Sequence, residues 1–344
     1  MSNISRLMNS AAAGGAGGGV LSLAVVHNAP TFVTIYNQAG DDFTKIGNPS
    51  ILPAGTSYGV SFSSDDTYMA VAHSTSPYVT IYKRDGEVFT KLANPSTLPT
   101  NSARSVAFSN NDTYLAVGQI SSPYINIYKR SGDTFTKLAN PSTLPTNHGM
   151  GVFFSSNDTY MTVCSAGAPY VFIYKRSGDT FTKLANPATV PSNASYNGSF
   201  SSSDVYMALG VNDPPYVFIY KRSGDTFTKL ANPSTLPSSI GYGAAFSNDD
   251  TYLAVPSLAS PYIVIYKRSG DTFTKLANPA TLPSTRCTAA AFSSDDNYLA
   301  LASGGTPYLI IYKRSGDTFT KLADPETLPP AFSRGVAFAN NGGT

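Results

Sequence analysis

From Leu23 to the C-terminus, short apolar runs alternate with polar breaks at regular intervals. Residues 103–141 show one round. "ARSVAFS" is an apolar run, "NNDT" an Asn/Asp turn, "YLAVGQ" the next run, and "ISSP" a break. "YINIYKR" follows, then the tight turn "SGD", then "TFTKLA" before "NPSTLP". Runs of about five residues with turns every ~8–12 residues predict β-strands. In "YINIYKR" Ile alternates with Tyr and Asn, the period of two expected of a strand. The unit therefore reads as four strands, A to D. The glycine of "SGD" supplies the positive φ that a C–D hairpin needs. Asn-Pro closes strand D, because proline has no N–H for a ladder.

The round repeats without interruption. Ile-Tyr falls at 35, 81, 127, 173, 219, 265 and 311, a step of 46. The phenylalanine of the A strand falls at 62, 108, 154, 200, 246, 292 and 338. A repeated four-stranded unit of this length is the signature of a propeller blade, and stacking blades around an axis buries the faces that one sheet leaves exposed. The predicted fold is all-β: a seven-bladed β-propeller with four antiparallel strands per 46-residue blade. An open solenoid would carry atypical capping repeats, and the end copies are ordinary. The first copy has B, C and D segments ("SLAVVH", "FVTIYN", "DFTKI") and the last has only A ("SRGVAFAN"). A composite closing blade is therefore expected, made of the C-terminal A strand and the N-terminal B, C and D.

Residues 1–20 stand apart from the repeat. "AAAGGAGGG" reads as a flexible tether. Ile4, Leu7 and Met8 fall at i, i+3 and i+4, one apolar face of a helical turn, and form a candidate assembly anchor that folds on a partner; a disordered terminus is the alternative. The head lacks the apolar core of a secretion signal. The expected organisation is thus residues 1–20 as docking peptide and tether, and 21–344 as the propeller.

"SVAFSNNDTYLAVGQ…PYINIYKR" resembles a WD-repeat-type blade, with Tyr-Lys where that repeat has Trp-Asp and without its Gly-His pair. Near-identical blades behind a short Ala/Gly head are similar in style to propeller proteins of tailed-bacteriophage particles. That likeness implies a virion protein (a tail fibre, spike or decoration component) assembled in the host cytoplasm.

Composition narrows the partners. Charged residues make up 13% and the net charge is +2, too weak and balanced for a nucleic-acid or polybasic membrane binder. No apolar run approaches the ~18 residues of a membrane helix. Cys164 and Cys287 lie in different repeats, so no disulfide is expected.

The candidate chemistry comes from comparing the copies. The A–B and C–D turns, on one face of the ring, are monotonous; the D–A and B–C loops, on the other, vary. Four residues before each A-strand Phe stand Tyr58, Arg104, Met150, Tyr196, Tyr242, Thr288 and Arg334. Strand A is innermost in a propeller, so this slot should circle the mouth of the channel. Tyr and Arg are residue types that anchor partners and stack on flat groups. Tyr58, Arg104, Met150, Tyr196, Tyr242 and Arg334, with His73 on the same face, are the candidate ligand- or partner-binding residues; free drift of loop positions is the alternative. Arg104, Arg286 and Arg334 are the basic residues of the D–A loops. His27, His73 and His148 are expected in loops of the variable face, too scattered for one metal point. Asp66, Asp112, Asp158, Asp204, Asp250 and Asp296 are expected to bond their own turn backbone, and Cys164 to be a small packed residue. No catalytic cluster, metal or cofactor is expected. The monotonous face offers seven equal sites for a repeated ligand, or it records duplication alone.

The functional expectation is a non-enzymatic structural or adhesion component of a phage particle. It would be held to other virion proteins through residues 1–20 and would contact a host cell-surface glycan or protein, with no nucleic acid and no membrane insertion. A lectin with repeated carbohydrate sites and a lactonase-type propeller enzyme are the alternatives.

Overall fold

A computed structural model of the chain describes residues 21–339. Among them are 28 strands, β1 to β28 in chain order, arranged as seven four-stranded antiparallel sheets. One blade shows the plan: β8 (Ala103–Phe108), β9 (Tyr114–Gln119), β10 (Ile125–Ser131) and β11 (Thr134–Lys137) are strands A to D in spatial order. The closing sheet has the order β28 (Ser333–Phe338), β1 (Ser22–His27), β2 (Val33–Ala39), β3 (Asp42–Lys45). Leu23 pairs with Phe338 and Val25 with Val336, so the chain's last strand closes its first blade. The docking peptide and tether expected at residues 1–20, including Ile4, Leu7 and Met8, lie outside the described residues.

The core is made between blades. One apolar cluster joins Tyr68, Val79 and Ile81 of one blade to Val106, Phe108 and Phe135 of the next. Another joins Val25 and Phe338 of the closing blade to Ile311 and Tyr298 of its neighbour. A blade is therefore stable only in company, which is why the ring must close.

The repeated polar residues of "YKRSGDTFTKLANP" are used in the same way. Tyr174 is fully buried and donates to the Thr143 carbonyl at 3.0 Å, pinning the linker that enters its own blade. Tyr82, Tyr220, Tyr266 and Tyr312 do the same. Asp133, in the C–D turn, accepts from Tyr68 (2.5 Å) and Lys83 (3.0 Å) of the preceding blade. Arg130 lies over the Tyr68 ring at 5.0 Å. Gly132 holds φ +56° in the two-residue turn, as a type II′ hairpin requires. Similar clasps recur with Asp179, Asp225, Asp271, Asp317 and Asp41. Around the seam between the closing blade and the one after it the set changes. There Asn37 donates to Glu87 at 2.6 Å, and Arg84 to the Ser22 hydroxyl at 2.9 Å.

The A–B turn aspartates from Asp112 to Asp296 depart from expectation. Asp112 and Asp158 sit at φ +56° and +57°, and their carboxylates reach the preceding blade rather than their own turn. Asp158 accepts from Asn110 N (2.7 Å) and Asn111 N (2.8 Å); Asp204 and Asp250 repeat this arrangement. The residue that bonds its own turn is the one before, such as Asn111, which accepts from Thr113 N. The left-handed backbone points each Asp sideways across the blade interface. Asp158→Ala should therefore cost about 1–3 kcal/mol, because two backbone N–H groups of the preceding blade lose a charged acceptor and the bond across the interface is broken. Lys129→Ala, which breaks a half-exposed pair, should cost no more than about 1 kcal/mol. Urea midpoints of the two variants would test the order; equal losses would refute it.

Candidate channel-mouth site

The inner strands share an irregularity that the sequence does not announce. In β4 (Ser57–Phe62) the register with the B strand slips between Ser57 and Gly59. It slips again between Ala103 and Ser105, Gly149 and Gly151, Ser195 and Gly198, and Cys287 and Ala289. In the closing blade the partners skip from Ser333 to Gly335. The skipped residues are Tyr58, Arg104, Met150, Tyr196 with Asn197, Thr288 and Arg334. The variable slot is thus a β-bulge. A bulge adds a residue without a ladder partner and re-aims its side chain, here at the axis. In the remaining blade, Tyr242 lies between the Gly241–Ser257 bridge and the short β20 (Ala245–Phe246). Glycine beside the bulge lets the inner strands crowd together: a Cβ on Gly151 would stand 2.3 Å from the Tyr196 carbonyl oxygen.

These residues line one cavity of about 490 Å³. The structure brings together Tyr58, Arg104, Met150, Tyr196, Tyr242, Thr288 and Arg334, and adds Asn197, Arg286 and Phe332. No carboxylate or imidazole is among the lining residues described. On one side, cations and rings alternate. Arg104 lies 4.2 Å and Arg334 4.9 Å from the Tyr58 ring centre; Arg334 and Arg286 each lie 4.8 Å from that of Phe332. On the other side Tyr196 and Tyr242 meet edge to face at 5.3 Å, and Tyr196 donates to Asn212 at 3.0 Å.

The three guanidiniums are not equivalent. Arg334 donates from Nε to Asn28 Oδ1 at 2.6 Å. Burial holds its pKa below the ordinary arginine value; Tyr58 opposes that shift, and Arg104 and Arg286 add to it. Arg104 Nε is buried with no hydrogen-bond partner. Three cations thus converge without a counter-charge in the lining. Arg286 and Phe332 were missed as site residues because they precede the slot by two positions. The available signal was that Arg104, Arg286 and Arg334 are the basic residues of the D–A loops.

His73 does not join them. It and His27 end B strands, fully buried, bonded through Nε2 to Thr80 (2.9 Å) and Thr34 (3.0 Å). They are strand residues rather than loop residues: each is the last residue of its B strand, and a strand-C threonine satisfies its ring inside the sheet. Burial lowers both pKa values to about 4, offset in part by the Ala29 and Thr75 backbone. His148 lies in the loop before β12 (Gly149–Phe154). Cys164 is buried in a B strand, and its thiol is pushed up to about 12 by burial, as befits a packed residue.

The histidines make a pH prediction. Their folded pKa values lie below the unfolded value, so the unfolded chain binds more protons between pH 6.5 and 4. Stability is complete above that window and falls within it by about 1.4 kcal/mol per pH unit per histidine. Gln119 occupies the equivalent slot one blade on, bonded to Thr100 N. His73→Gln should roughly halve the loss of urea stability between pH 7 and 5; an unchanged loss would remove His73 as its source. The clasp aspartates have depressed pKa values. Their contribution is present above the ordinary carboxylate range and lost below it, so it does not mask the test.

No family model matches the chain, and no curated protein matches it. Solved structures do. A protein from Lactobacillus plantarum is 14% identical, with 93% of this chain and 99% of that one covered at a TM-score of 0.76. A periplasmic gluconolactonase of Pseudomonas aeruginosa is 15% identical over 93% and 99%, at 0.73. A Bacteroides fragilis protein that carries the name 6-phosphogluconolactonase only provisionally is 13% identical over 95% and 100%, at 0.75. These likenesses show the propeller fold. They overturn the expectation of a non-enzymatic phage structural or adhesion component: the named neighbours include lactonases, and none of the three is described as a virion protein. The phage likeness rested on the style of the repeat and head, and the clasps account for the repeated polar residues.

Proposed function

We propose that the channel mouth binds a small oxygen-rich molecule and that its reaction is lactone opening. The observation that carries this is the arc of Arg104, Arg334 and Arg286 in one cavity without a carboxylate. Water attack on a lactone carbonyl places negative charge on its oxygen, and preorganised guanidinium donors in a partly buried site stabilise such charge. The new C–O bond forms from water, the ring C–O bond breaks, and the proton passes to the departing ring oxygen or to solvent, giving a hydroxy acid. The lining contains no group that is a base at neutral pH. Burial raises the Tyr196 phenol pKa, with Tyr242 and Asp213 adding to the effect, so it is a neutral donor. The rate would come from oxyanion stabilisation and positioning. The lactonase names among the structural neighbours support the reaction class.

The test is acid release from glucono-lactone in a pH-stat, against the spontaneous rate. Acceleration that falls at least ten-fold in Arg104→Ala is expected. A wild-type rate equal to the spontaneous one would overturn the reading.

A further inference from the structure

This inference rests on the channel mouth being the ligand site, and it concerns what else the ligand carries. The mouth has two unlike sides. Arg286, Arg334 and Arg104 come from three different blades and lie over the rings of Phe332 and Tyr58. Stacking on a ring leaves a guanidinium's N–H edge for an acceptor in its own plane. Arg334 spends its Nε on Asn28, whereas the buried Arg104 Nε has no partner. A buried donor left unpaired is costly, and three mutually repelling cations add to that cost. The opposite wall, Tyr196 and Tyr242, is aromatic and uncharged.

We propose that the arc holds the phosphate of a small phosphate monoester whose carbon skeleton lies against Tyr196 and Tyr242. A carboxylate has two oxygens and one charge, and one arginine fork satisfies it. A phosphate monoester carries about −1.5 to −2 charges and three terminal oxygens, which suits three guanidiniums approaching from different blades. Arg104 and Arg286 are the binding residues, and Arg334, tethered by Asn28, is their fixed neighbour. The cavity of about 490 Å³ falls within the ordinary range for a small-molecule site.

The experiment is calorimetric titration of the full chain with phenyl phosphate, inorganic phosphate and benzoate at constant ionic strength. Phenyl phosphate should bind most tightly. Arg104→Ala and Arg286→Ala should each weaken it about ten- to hundred-fold, and Arg104→Lys by less. Tyr196→Ala should reduce phenyl phosphate to the affinity of inorganic phosphate. Unchanged thermal unfolding of the variants would exclude misfolding, and a variant that fails to fold is replaced by Arg286→Lys. The proposal is overturned if phenyl phosphate does not bind, if benzoate binds as well, or if neither arginine variant weakens binding. Phosphate binding without lactone opening would sink the reaction class and leave this inference standing. Lactone opening that phenyl phosphate does not inhibit would do the reverse.

Discussion

A chain ending at Phe332 should lose its cooperative folding transition. The missing strand, β28, supplies the inner ladder of the closing blade, with Val26 paired to Gly335 and His27 to Ser333. It also buries Val336 and Phe338, which are 8% and 9% exposed. Two such side chains contribute about 1.5–3 kcal/mol each, and each lost ladder bond about 0.5–1.5 kcal/mol more. The total reaches about 5 kcal/mol or above, comparable with the whole stability of many domains. The cut also uncovers one edge of β1, which invites pairing with another chain. Urea unfolding should become broad or vanish, and gel filtration should show association. A peptide of residues 333–344 added in trans should reverse part of both effects. A truncated chain that melts within a few degrees of the full one would show that closure contributes little.

Phe227→Ala should be the most damaging single substitution among the repeated surface hairpins, at about 3–5 kcal/mol. Phe227 lies in a D strand, yet it is only 4% exposed. It meets Tyr160 of the preceding blade edge to face at 5.6 Å and Phe200 of its own blade at 6.1 Å. Truncation therefore opens a void between two blades. It also loosens the hairpin whose Asp225 accepts from Tyr160 and Lys175. Phe227→Leu should cost less than half as much. The check is a urea midpoint that shifts while the slope stays constant; a loss under about 1 kcal/mol would mean that the blades collapse onto the space.

The fold was legible because a fixed step of 46 aligns every strand with six others, and because the first and last copies are complementary fragments. The mouth residues were legible for the same reason: one slot varied where its surroundings did not. What the repeat could not disclose is which blade a side chain serves. Asp158 looks like a turn residue in sequence and proves to be a bond to the neighbouring blade, a difference set by one positive φ. His73 looked like a loop residue because polar character marks loops, yet Thr80 satisfies it inside the sheet. The bulge left no mark of its own beyond the glycine after Tyr58, Met150, Tyr242 and Arg334. The expectation of a phage structural role rested on near-identical copies behind an Ala/Gly head, and the sameness of the copies is explained by six clasps of one design.

The inserted residue of each inner strand also has a genetic meaning. Each blade brings its own share of the mouth on a stretch whose hairpins are near-identical to those of the others. Recombination between two such stretches would exchange one blade's share of the mouth and leave the six repeated clasps in kind. Gain or loss of a whole stretch would change the circumference and the number of shares together. The lineage could therefore revise what the opening recognises by shuffling units, with no need to re-evolve the frame that presents them.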